Sequence, residues 1–480
     1  MKAQLAADLA RLVSEDALLT APEDLRAYDQ AARYEGGRAA MVVRPRGPAG
    51  VAAIVAWCVG HQVELAVQGA NTGLVGASTA DDSGRQVLLS LERLQAPLEI
   101  DPVNRSVRAG AGVRLSAVNA ALQPHGLFLP IDLGADPTIG GMAATNTGGA
   151  RFIRYGDMRR QVLGLEMVLA DAAGTVVRLR RGLRKDNTGL DLRQVVIGAG
   201  GALGVITAVE FEAHPLPAQT AAALVLLEDL DTALPLLLHM EREGSETLSA
   251  FEGMSRAALA AALAHGPGLR NPFAGDLPPY VVLVELSTTR SPRPGETPLG
   301  EQLEQSLADW LETDEGGGVI DILTGAPEPL WAIRHAISEG LRAKGRVIGF
   351  DLAFRRSDLA AFRRAASARL AADFSEFELC DFGHIGDGGV HFNLVSDPDA
   401  PPTAERLSAL RQAVYEIACL QFGGSFSGEH GLGRANLAQY QALTPAPVRG
   451  LAARVQGAFA DRALGAVDYA ALECPAHGAD

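Results

Sequence analysis

The fold is decided by residues 67–78, which read VQGANTGLVGAS. This stretch follows a strand-like run and places Gly69, Gly73 and Gly76 within one short loop. Small residues in succession let backbone N–H groups turn inward and form a concave nest for an anion. The stretch has neither the G-x-G-x-x-G pattern of a dinucleotide fold nor the G-K-[ST] of a P-loop. Taken alone, the stretch favours a tight structural turn over an anion site.

Two further glycine-rich segments follow the first along the chain. Residues 129–149 read LPIDLGADPTIGGMAATNTGG, and residues 196–207 read VIGAGGALGVIT. A run of small residues cannot build a core, so the second segment is suited to lining an extended cofactor. The chain has 53 glycines in 480 residues, above the usual ~7%. Because many lie in these segments, we predict that the backbone there must approach another molecule closely.

The first 215 or so residues mix short strands with helices. Predicted strands are Met41–Pro45, Glu64–Val67, Gln86–Leu91 and Ser106–Ala109, and predicted helices are Pro48–Gly60 and Leu115–His125. Runs 162–169 and 175–179 flank Asp171–Gly174 and predict a hairpin. A boundary is expected at His214–Pro217. From about Thr220, strand-like and helix-like runs alternate, which indicates a second α/β domain with helices packed on a sheet.

Composition excludes several classes of protein. Apolar residues are 48% and charged residues 21%, as in a folded globular protein, and the net charge of −15 argues against nucleic-acid binding. Cys58, Cys380, Cys419 and Cys474 form no C-x-x-C, so iron–sulfur and zinc-ribbon sites are not expected. The N-terminus lacks a signal-peptide pattern, and no apolar run reaches ~18 residues. We therefore expect a cytoplasmic protein without a membrane span.

A histidine–glutamate constellation marks the C-terminal half. Residues 383–393 read GHIGDGGVHFN, where His384 and His391 flank an Asp-Gly-Gly turn, and Asn393 shares a strand face with His391. Residues 427–433 read SGEHGLG and place Glu429 and His430 in a glycine-rich loop. Two imidazoles and a carboxylate suit Zn²⁺, Mn²⁺, Fe²⁺ or Co²⁺. The alternative for each histidine is a structural role with satisfied hydrogen bonds.

The three glycine segments, in this order and spacing, resemble the FAD-linked oxidases of the vanillyl-alcohol oxidase superfamily. The most specific motifs are NTGLVG at 71–76 and TIGG at 138–141, with RYGDMR at 154–159 preceding the hairpin. Within the superfamily, the chain resembles the D-2-hydroxyacid dehydrogenase branch, which includes D-lactate, D-2-hydroxyglutarate and glycolate dehydrogenases.

This resemblance covers nearly the whole chain and implies an α+β fold. A PCMH-type FAD-binding domain is expected over residues 1–215. A second α/β domain with an antiparallel sheet, for substrate and metal, is expected over 216–434. A helical C-terminal segment, 435–480, would return to pack on the FAD domain.

The resemblance also implies the cofactor residues. The first loop would bind the FAD pyrophosphate, the second would run beside the cofactor, and Ile206 would lie near the flavin. The expected FAD-binding residues are Gln68, Gly69, Ala70, Asn71, Thr72, Gly73, Leu74, Pro130, Thr138, Ile139, Gly140, Gly141, Ala144, Thr145, Gly148, Gly204 and Ile206. Residues 68–78 and 138–149 contain no His or Cys that could tether the flavin, so FAD is expected to be non-covalent. Gly200 stands where relatives commonly carry Glu.

The same resemblance implies the catalytic groups. His384, His391 and Glu429 would hold a divalent metal, and His430 would act as base. Asn393 would contact the substrate, Arg334 would clamp its carboxylate, and Ser338 lies four residues on, on the same helical face. Such groups suit oxidation of a 2-hydroxy acid, because a cation lowers the pKa of the hydroxyl and an imidazole accepts its proton. The hydride would go to flavin N5.

Two positions depart from the relatives. Gly349 replaces a lysine of the 2-hydroxyglutarate-specific enzymes, and His335 stands where Glu is usual. Loss of the lysine removes a partner for a second substrate carboxylate. It argues against D-2-hydroxyglutarate as the main substrate, and Phe350 and Phe354 would suit a more apolar side chain. The residues that could replace the lysine are Arg342, Lys344 and Arg346.

No dinucleotide fingerprint is present, so electrons are expected to leave to an electron-transfer flavoprotein or a quinone. The sequence leaves a homodimer open. Two alternatives remain: a non-catalytic flavin-fold partner subunit of a dehydrogenase complex, and a metal-dependent hydrolase with vestigial flavin loops. The intact set His384, His391, Glu429 and His430 argues against the first. The second predicts a colourless protein.

Overall fold

The computed structural model describes residues 2–31, 33, 36–244, 246–266 and 268–473. They divide into two compact units. The first unit comprises the described residues of 1–147, 157–215 and 429–480. The second comprises the described residues of 148–156 and 216–428.

The α-helices of the described residues are numbered in chain order. They are Lys2–Leu9 (α1), Pro22–Asp29 (α2), Pro48–Gly60 (α3), Leu115–Leu122 (α4), Ile139–Thr145 (α5), Phe152–Tyr155 (α6), Met158–Gln161 (α7), Arg193–Val196 (α8), Ala233–Gly244 (α9), Arg256–His265 (α10), Leu299–Leu311 (α11), Pro327–Lys344 (α12), Leu359–Asp373 (α13), Ala404–Tyr415 (α14), Leu437–Leu443 (α15), Ala446–Phe459 (α16) and Tyr469–Glu473 (α17). Short 3₁₀ turns cover Glu15–Ala17, Gln123–His125, Asp314–Gly318 and Arg356–Asp358, and Glu416–Gln421 is a π-helical extension of α14.

The first unit contains two principal sheets and a short β-ribbon. Its strands are Leu18–Leu19 (β1), Met41–Val43 (β2), Leu65–Gln68 (β3), Val87–Ser90 (β4), Leu98–Asp101 (β5), Ser106–Gly110 (β6), Leu127–Phe128 (β7), Val162–Leu169 (β8), Val176–Leu179 (β9), Gly204–Glu212 (β10) and His214–Pro215 (β11). One sheet has the order β1-β2-β4-β3 and is parallel except for β1. The other has the antiparallel order β5-β6-β10-β8-β9, and β11 pairs with β7.

Each principal sheet of the first unit buries its own apolar cluster. Helix α3 packs Ile54 against Met41 and Leu89 of the parallel sheet. Helices α4 and α5 bring Val118 and Met142 into the cluster that covers the antiparallel sheet. Because α5 is anchored in this core, the glycines at its start are held in a fixed place.

The second unit is built on one antiparallel sheet. Its strands are Gln219–Leu227 (β12), Leu248–Ser255 (β13), Tyr280–Thr288 (β14), Val319–Gly325 (β15), Arg346–Ala353 (β16), Phe377–Leu379 (β17), Phe382–Gly383 (β18) and Gly389–Ser396 (β19). The order is β15-β12-β14-β13-β18-β19-β16, with β17 also paired to β19. Helices α10 and α12 cover one face and share a core that includes Leu224, Met254, Leu283 and Ile337.

Most predicted secondary structure is confirmed. Helix Pro48–Gly60 has the predicted bounds, and the hairpin of β8 and β9 is present. The resemblance also predicted the antiparallel sheet of the second unit correctly. The sequence analysis missed β13 and α10, because the run of strand residues has no alternation: all eight are buried.

Residues 148–156 join the second unit although the chain on either side belongs to the first. Ala150 enters the apolar core under α10 and α12. Arg151 pairs through Nε with Glu285 at 3.1 Å, and Arg154 donates a hydrogen bond to the Ser287 hydroxyl at 2.9 Å. This nine-residue segment is therefore fixed by both apolar and ionic contacts.

None of the helices within the described ranges is long and apolar enough to cross a lipid bilayer.

Candidate active site

The first two glycine segments touch each other in the first unit. A Cβ built on Gly69 would lie 2.3 Å from Thr138 Oγ1 and 3.9 Å from the Cα of Gly141. No side chain fits between them, so glycine at 69 lets the loop after β3 meet the start of α5. The two segments, which are far apart in sequence, therefore lie directly against each other.

At two other glycines, packing against neighbouring backbone does not exclude a side chain. A Cβ on Gly73 would meet only Ser78 Oγ at 3.9 Å, and one on Gly141 only Thr138 Oγ1 at 3.2 Å. Neither has a positive φ. A Cβ on Gly73 would therefore meet almost nothing, while one on Gly141 would press only on the Thr138 hydroxyl. This bare backbone suits the close approach of an extended anionic cofactor such as FAD.

Polar side chains brace the first loop from behind. Gln68 is buried and donates through Nε2 to the carbonyl oxygens of Tyr28 at 2.9 Å and Ser78 at 2.8 Å. Asn71, with φ of +57°, accepts a hydrogen bond from Ser78 Oγ at 2.8 Å. These two side chains shape the loop. The partly exposed Ala70, Thr72 and Leu74 lie along it.

The second segment is mostly buried and internally bonded. Pro130 is buried next to Leu129, whose N–H is held by Asn119 at 2.8 Å. Thr138 caps α5, and Thr145 Oγ1 donates to the Gly141 carbonyl at 3.0 Å.

Other predicted cofactor residues are more deeply placed or belong to the other unit. Ile139 and Gly140 are buried, and Ala144 is partly exposed. Gly140 packs against Ala111, and a Cβ at 140 would lie only 2.6 Å from that side chain. Gly148 belongs to the second unit, unlike the residues of the segment that precede it.

The third glycine segment is hydrogen-bonded to α5. Gly198 N–H donates to the Ala143 carbonyl at 3.0 Å, and Gly200 N–H to the Ala144 carbonyl at 2.8 Å. Gly204 is needed for strand packing, since a Cβ there would lie 2.4 Å from the Val168 carbonyl oxygen. Ile206 is 5% exposed and lies in the core cluster. A cofactor contact of either residue stays a prediction.

The segment from Glu429 onward is attached to these glycine loops within the first unit. Ala435 N–H donates to the Val75 carbonyl at 3.1 Å, and Arg434 donates to the Thr79 carbonyl at 2.7 Å. A Cβ on Gly431 would lie 4.0 Å from the Thr145 carbonyl oxygen. The neighbouring His430 is therefore carried by a loop that is attached to the predicted FAD-binding backbone. A carboxylate oxygen of Glu429 lies within 4.8 Å of a ring nitrogen of His430.

Asn436 holds this loop in shape, and the sequence analysis did not identify it. Its Nδ2 donates to the Gly431 carbonyl at 2.9 Å, and its Oδ1 accepts from Gly433 N–H at 2.9 Å. The signal for it was weak: one amide residue just after a glycine-rich run, where side chain-to-backbone bonds are common.

In the second unit, the predicted histidine hairpin is confirmed. Phe382 of β18 pairs with His391 of β19, and the turn between them holds His384. The two imidazoles meet edge to face, with centroids 5.2 Å apart. The structure thus brings together the two predicted metal-binding histidines.

One buried carboxylate connects this hairpin to the predicted carboxylate clamp. Glu252 of β13 is 1% exposed. Its Oε1 accepts from His384 Nδ1 at 2.7 Å, and its Oε2 accepts from Arg334 Nε at 2.7 Å and forms an ion pair with Arg334 Nη2 at 2.7 Å. Burial acts to raise the pKa of Glu252, but the charges of His384 and Arg334 outweigh it, so the pKa lies below its ordinary value.

The guanidinium of Arg334 is 4.6 Å above the Phe382 ring, and the residue is buried. Its Nε side is occupied by Glu252, so a substrate carboxylate would have to meet the Nη1 side. Ser338, one turn further along α12, is exposed to solvent. His335 is also exposed and stacks on Trp331 with centroids 5.4 Å apart.

Strands β16 and β19 add a row of polar groups. Asp351 pairs with His391 and Gly349 with Asn393 across the ladder, so all four lie on one face. Asp351 Oδ1 is 3.9 Å from His391 Nδ1. Gly428 N–H donates to the Asp351 carbonyl at 3.1 Å.

The residues proposed to replace the missing lysine are not placed for that role. Arg346 alternates to the opposite face of β16 from Gly349, and Lys344 Nζ pairs with Glu378 at 2.6 Å. Arg342 is exposed near the end of α12.

The two phenylalanines expected beside the substrate are placed elsewhere, so that interpretation was wrong. Phe350 lies on the other face of β16 from Asp351 and packs edge to face with Phe392 and Tyr415. Phe354 stacks on Phe362 with centroids 4.3 Å apart. Both are core residues, because period-2 alternation directs them away from the polar row.

Comparisons with known proteins identify the family. A model of the FAD binding domain matches residues 39–180, and a model of the C-terminal domain of FAD linked oxidases matches residues 216–449. The chain is 37% identical to the mitochondrial D-2-hydroxyglutarate dehydrogenase of Bos taurus over 433 residues, which is 89% of this chain and 76% of the relative. The chain belongs to the FAD-linked oxidases.

Other members of this family are similar over comparable lengths. The D-2-hydroxyglutarate dehydrogenase of Xanthomonas citri pv. viticola is 33% identical, covering 87% of this chain and 86% of the relative. The D-2-hydroxyglutarate–pyruvate transhydrogenase of Saccharomyces cerevisiae is 31% identical, covering 88% and 85%.

Two solved structures of low sequence identity share the fold of this chain. The p-cresol methylhydroxylase structure with substrate bound matches with a TM-score of 0.74, covering 95% of this chain and 94% of that chain at 16% identity. Alkyldihydroxyacetonephosphate synthase matches with a TM-score of 0.69, covering 92% and 82% at 16% identity.

Proposed function

We propose that this FAD-linked oxidase is a dehydrogenase that uses non-covalent FAD and a divalent metal to oxidise a D-2-hydroxy acid to the 2-oxo acid. The observation that carries the proposal is the buried connection in the second unit, where Glu252 bonds both Arg334 and His384. An acid-binding arginine and a metal-binding histidine are thereby held as one assembly.

FAD would be held by the joined glycine segments of the first unit. The bare backbone at Gly73 and Gly141 fits an extended diphosphate, and the N–H groups of the loop provide donors for it. When bound, FAD supplies a hydride acceptor at N5. Residues 68–78 and 138–149 contain no His or Cys, which supports non-covalent binding.

The metal would be held by His384, His391 and Glu429. Two imidazoles and one carboxylate are a ligand set for Zn²⁺, Mn²⁺, Fe²⁺ or Co²⁺ with open positions for substrate. When bound, the cation supplies Lewis acidity that lowers the pKa of a coordinated hydroxyl. Asp351 Oδ1 lies 3.9 Å from His391 Nδ1, so its negative charge would add to the attraction of the site for a cation.

The chain's own groups bind the acid and move the proton. Arg334 pairs with the substrate carboxylate through its Nη1 side, since Glu252 occupies the Nε side. Asn393 adds a polar contact from the strand face that it shares with His391. His430 accepts the hydroxyl proton, because a neutral imidazole is a suitable base near neutral pH.

The names of the relatives make D-2-hydroxyglutarate the first acid to test. The row formed by Gly349, Asp351, His391 and Asn393 has no cation where a second carboxylate would need one. For this reason, a D-acid with an uncharged side chain, such as D-lactate, is the alternative candidate substrate. The protein group that contacts the side chain of the substrate thus decides which D-2-hydroxy acid is oxidised.

Electrons would leave to an electron-transfer flavoprotein or a quinone. The cytoplasmic location and the homodimer stay predictions. The second candidate function is a non-catalytic partner subunit. It lacks an observation in its favour, because such a subunit has no need for a buried Glu252 that connects Arg334 to His384.

An anaerobic visible spectrum tests the proposal. Purified protein is mixed with D- or L-forms of 2-hydroxyglutarate and lactate, before and after treatment with a chelator. We expect a D-acid to bleach the flavin band, chelation to abolish the bleaching, and added Zn²⁺ or Mn²⁺ to restore it. A yellow protein that no acid bleaches would favour the partner subunit, and a colourless protein that binds no FAD would contradict the proposal.

A further inference from the structure

We propose that Glu252 is a positioning residue that orients the metal ligand His384 and the carboxylate clamp Arg334 together. The inference rests on the proposed function, because it assigns a task to a residue behind that site. Glu252 itself is too deeply buried to bind substrate, so its effect must pass through the two side chains it contacts.

The geometry assigns a different oxygen to each partner. Oε1 accepts from His384 Nδ1 at 2.7 Å, while Oε2 accepts from Arg334 Nε at 2.7 Å and lies 2.7 Å from Arg334 Nη2 in an ion pair. Both hydrogen bonds have the length of charge-assisted hydrogen bonds. Each carboxylate oxygen is therefore engaged by one partner, and the group cannot turn toward one partner without releasing the other.

The contact with His384 decides which ring nitrogen can bind a cation. A carboxylate accepts hydrogen bonds, so His384 Nδ1 carries the proton, and Nε2 has the lone pair in the neutral ring. A carboxylate behind a metal-binding imidazole also fixes the ring plane and raises the basicity of the ligand. Without it, His384 could rotate or adopt the other tautomer.

The contact with Arg334 decides which side of the guanidinium faces a substrate. Its Nε donates to Glu252, its Nη2 forms an ion pair with the same carboxylate, and the guanidinium lies 4.6 Å above the Phe382 ring. The side chain is thereby pre-organised to present Nη1, which reduces the entropy lost when an anion binds. One substitution should therefore affect both cation binding and substrate binding.

The chain offers a matched control in a second buried glutamate. Glu285 lies on β14, the strand next to β13, and is also 1% exposed. It pairs with Arg151 and accepts from Trp331 Nε1 at 2.7 Å and Ser249 Oγ at 2.7 Å. The contacts described for it include neither His384 nor Arg334. Replacing it removes an equivalent buried charge without touching the proposed assembly.

The test compares Glu252→Gln with Glu285→Gln in FAD-loaded protein. Metal is removed, and Zn²⁺ is titrated in competition with a chromophoric chelator. For Glu252→Gln we expect Zn²⁺ affinity to fall about 10- to 100-fold, the range found when a carboxylate behind a ligand is removed. We also expect a raised KM for the D-acid at saturating Zn²⁺. For Glu285→Gln we expect a similar loss of melting temperature but Zn²⁺ affinity within about twofold of the wild type.

Glu252→Asp keeps the proposal testable if Glu252→Gln does not fold. It retains the charge opposite Arg334 but withdraws the carboxylate by one methylene. We expect weakened Zn²⁺ binding here too. Wild-type Zn²⁺ affinity in the folded Glu252 variants would overturn the inference and leave the proposed function standing. A wild-type protein that is bleached by a D-acid yet binds no divalent metal would overturn both the metal part of that function and this inference.

Discussion

The glycine segments of the first unit and the charged assembly of the second unit are built on opposite physical grounds. At Gly69, Gly73 and Gly141 the useful property is the absence of a side chain, which lets backbone approach backbone or ligand. At Glu252, Arg334 and His384 the useful property is a set of long, ionisable side chains held in one arrangement. Substitutions that add side-chain atoms should impair the function of the first region. Substitutions that remove side-chain atoms should impair the function of the second.

The two regions also differ in how they tolerate change. A glycine that borders open space can be replaced at little cost in stability, since nothing collides with the new methyl group. A buried carboxylate with two partners cannot, because its removal leaves other charged groups uncompensated. Function and stability are thus separable in the first region and coupled in the second.

The largest expected effect tests the second region directly. His391→Ala removes one of the two imidazoles that meet edge to face. We expect a loss of about 10³-fold in kcat/KM for the D-acid, equivalent to about 4 kcal/mol, because the proposed metal site would lose a ligand. Steady-state kinetics and Zn²⁺ content measure this. FAD content should not change, and full activity in a metal-free variant would contradict the assignment.

A pair of glycine variants tests the first region. In Gly140→Ala the new Cβ would lie 2.6 Å from the Ala111 Cβ, so we expect a stability loss of about 1–3 kcal/mol. In Gly73→Ala the nearest atom is 3.9 Å away, so apo stability should be unchanged while FAD binds more weakly. Melting temperatures of the apo proteins and FAD titrations measure both. An equal loss of melting temperature in the two variants would mean that Gly73 also has a packing role.

A substitution that adds atoms to the second region tests its specificity. Gly349→Lys places a cation on the strand face of Asp351 and Asn393. We expect the ratio of kcat/KM for D-2-hydroxyglutarate over D-lactate to rise about tenfold, or about 1.4 kcal/mol in transition-state binding. Gly349→Met is the uncharged control of similar length. If both variants shift the ratio equally, bulk rather than charge is responsible.

The smallest expected effect concerns the protonation of His214 in the first unit. Burial lowers the pKa of His214 below its ordinary value of 6.5. As pH falls, the unfolded chain therefore binds a proton at His214 before the folded chain does. The contribution of His214 to folding stability is complete above the unfolded pKa of 6.5 and is lost as pH falls from there through the lower pKa of the folded state.

We expect His214→Gln to lessen this decline by less than about 1 kcal/mol between about pH 7 and pH 5. Unfolding curves at several pH values measure it. The exposed His125, replaced in the same way, serves as the control. An identical decline in the wild type and His214→Gln would show that His214 does not contribute.

Local sequence patterns predicted much of the fold and the chemistry-bearing residues. The helix Pro48–Gly60 and the hairpin around His384 and His391 follow from capping, periodicity and turn residues, which act over a few positions. The family motifs at 71–76 and 138–141 extended this to the domain architecture.

The supporting residues could not be predicted in this way. Glu252 is 82 positions from Arg334 and 132 from His384, so no local pattern reveals that the three meet. The available signal was a single glutamate within the small and apolar run LSAFEGMS, since a buried carboxylate requires a partner. Phe350 was misassigned because its place on the strand, one position from Asp351, sends it to the other face.

The division of the chain has a consequence for its synthesis. The first unit is completed by residues after Glu429, and its Val75 carbonyl bonds to Ala435 N–H. During translation, the second unit is fully synthesised before the first unit is complete. The glycine loops therefore cannot form all their contacts until the last stretch of the chain has been made. An interrupted translation product that ends at the boundary near Pro215 would carry the FAD motifs without the segment that braces them. Such a product should be recognised by chaperones and proteases as unfinished.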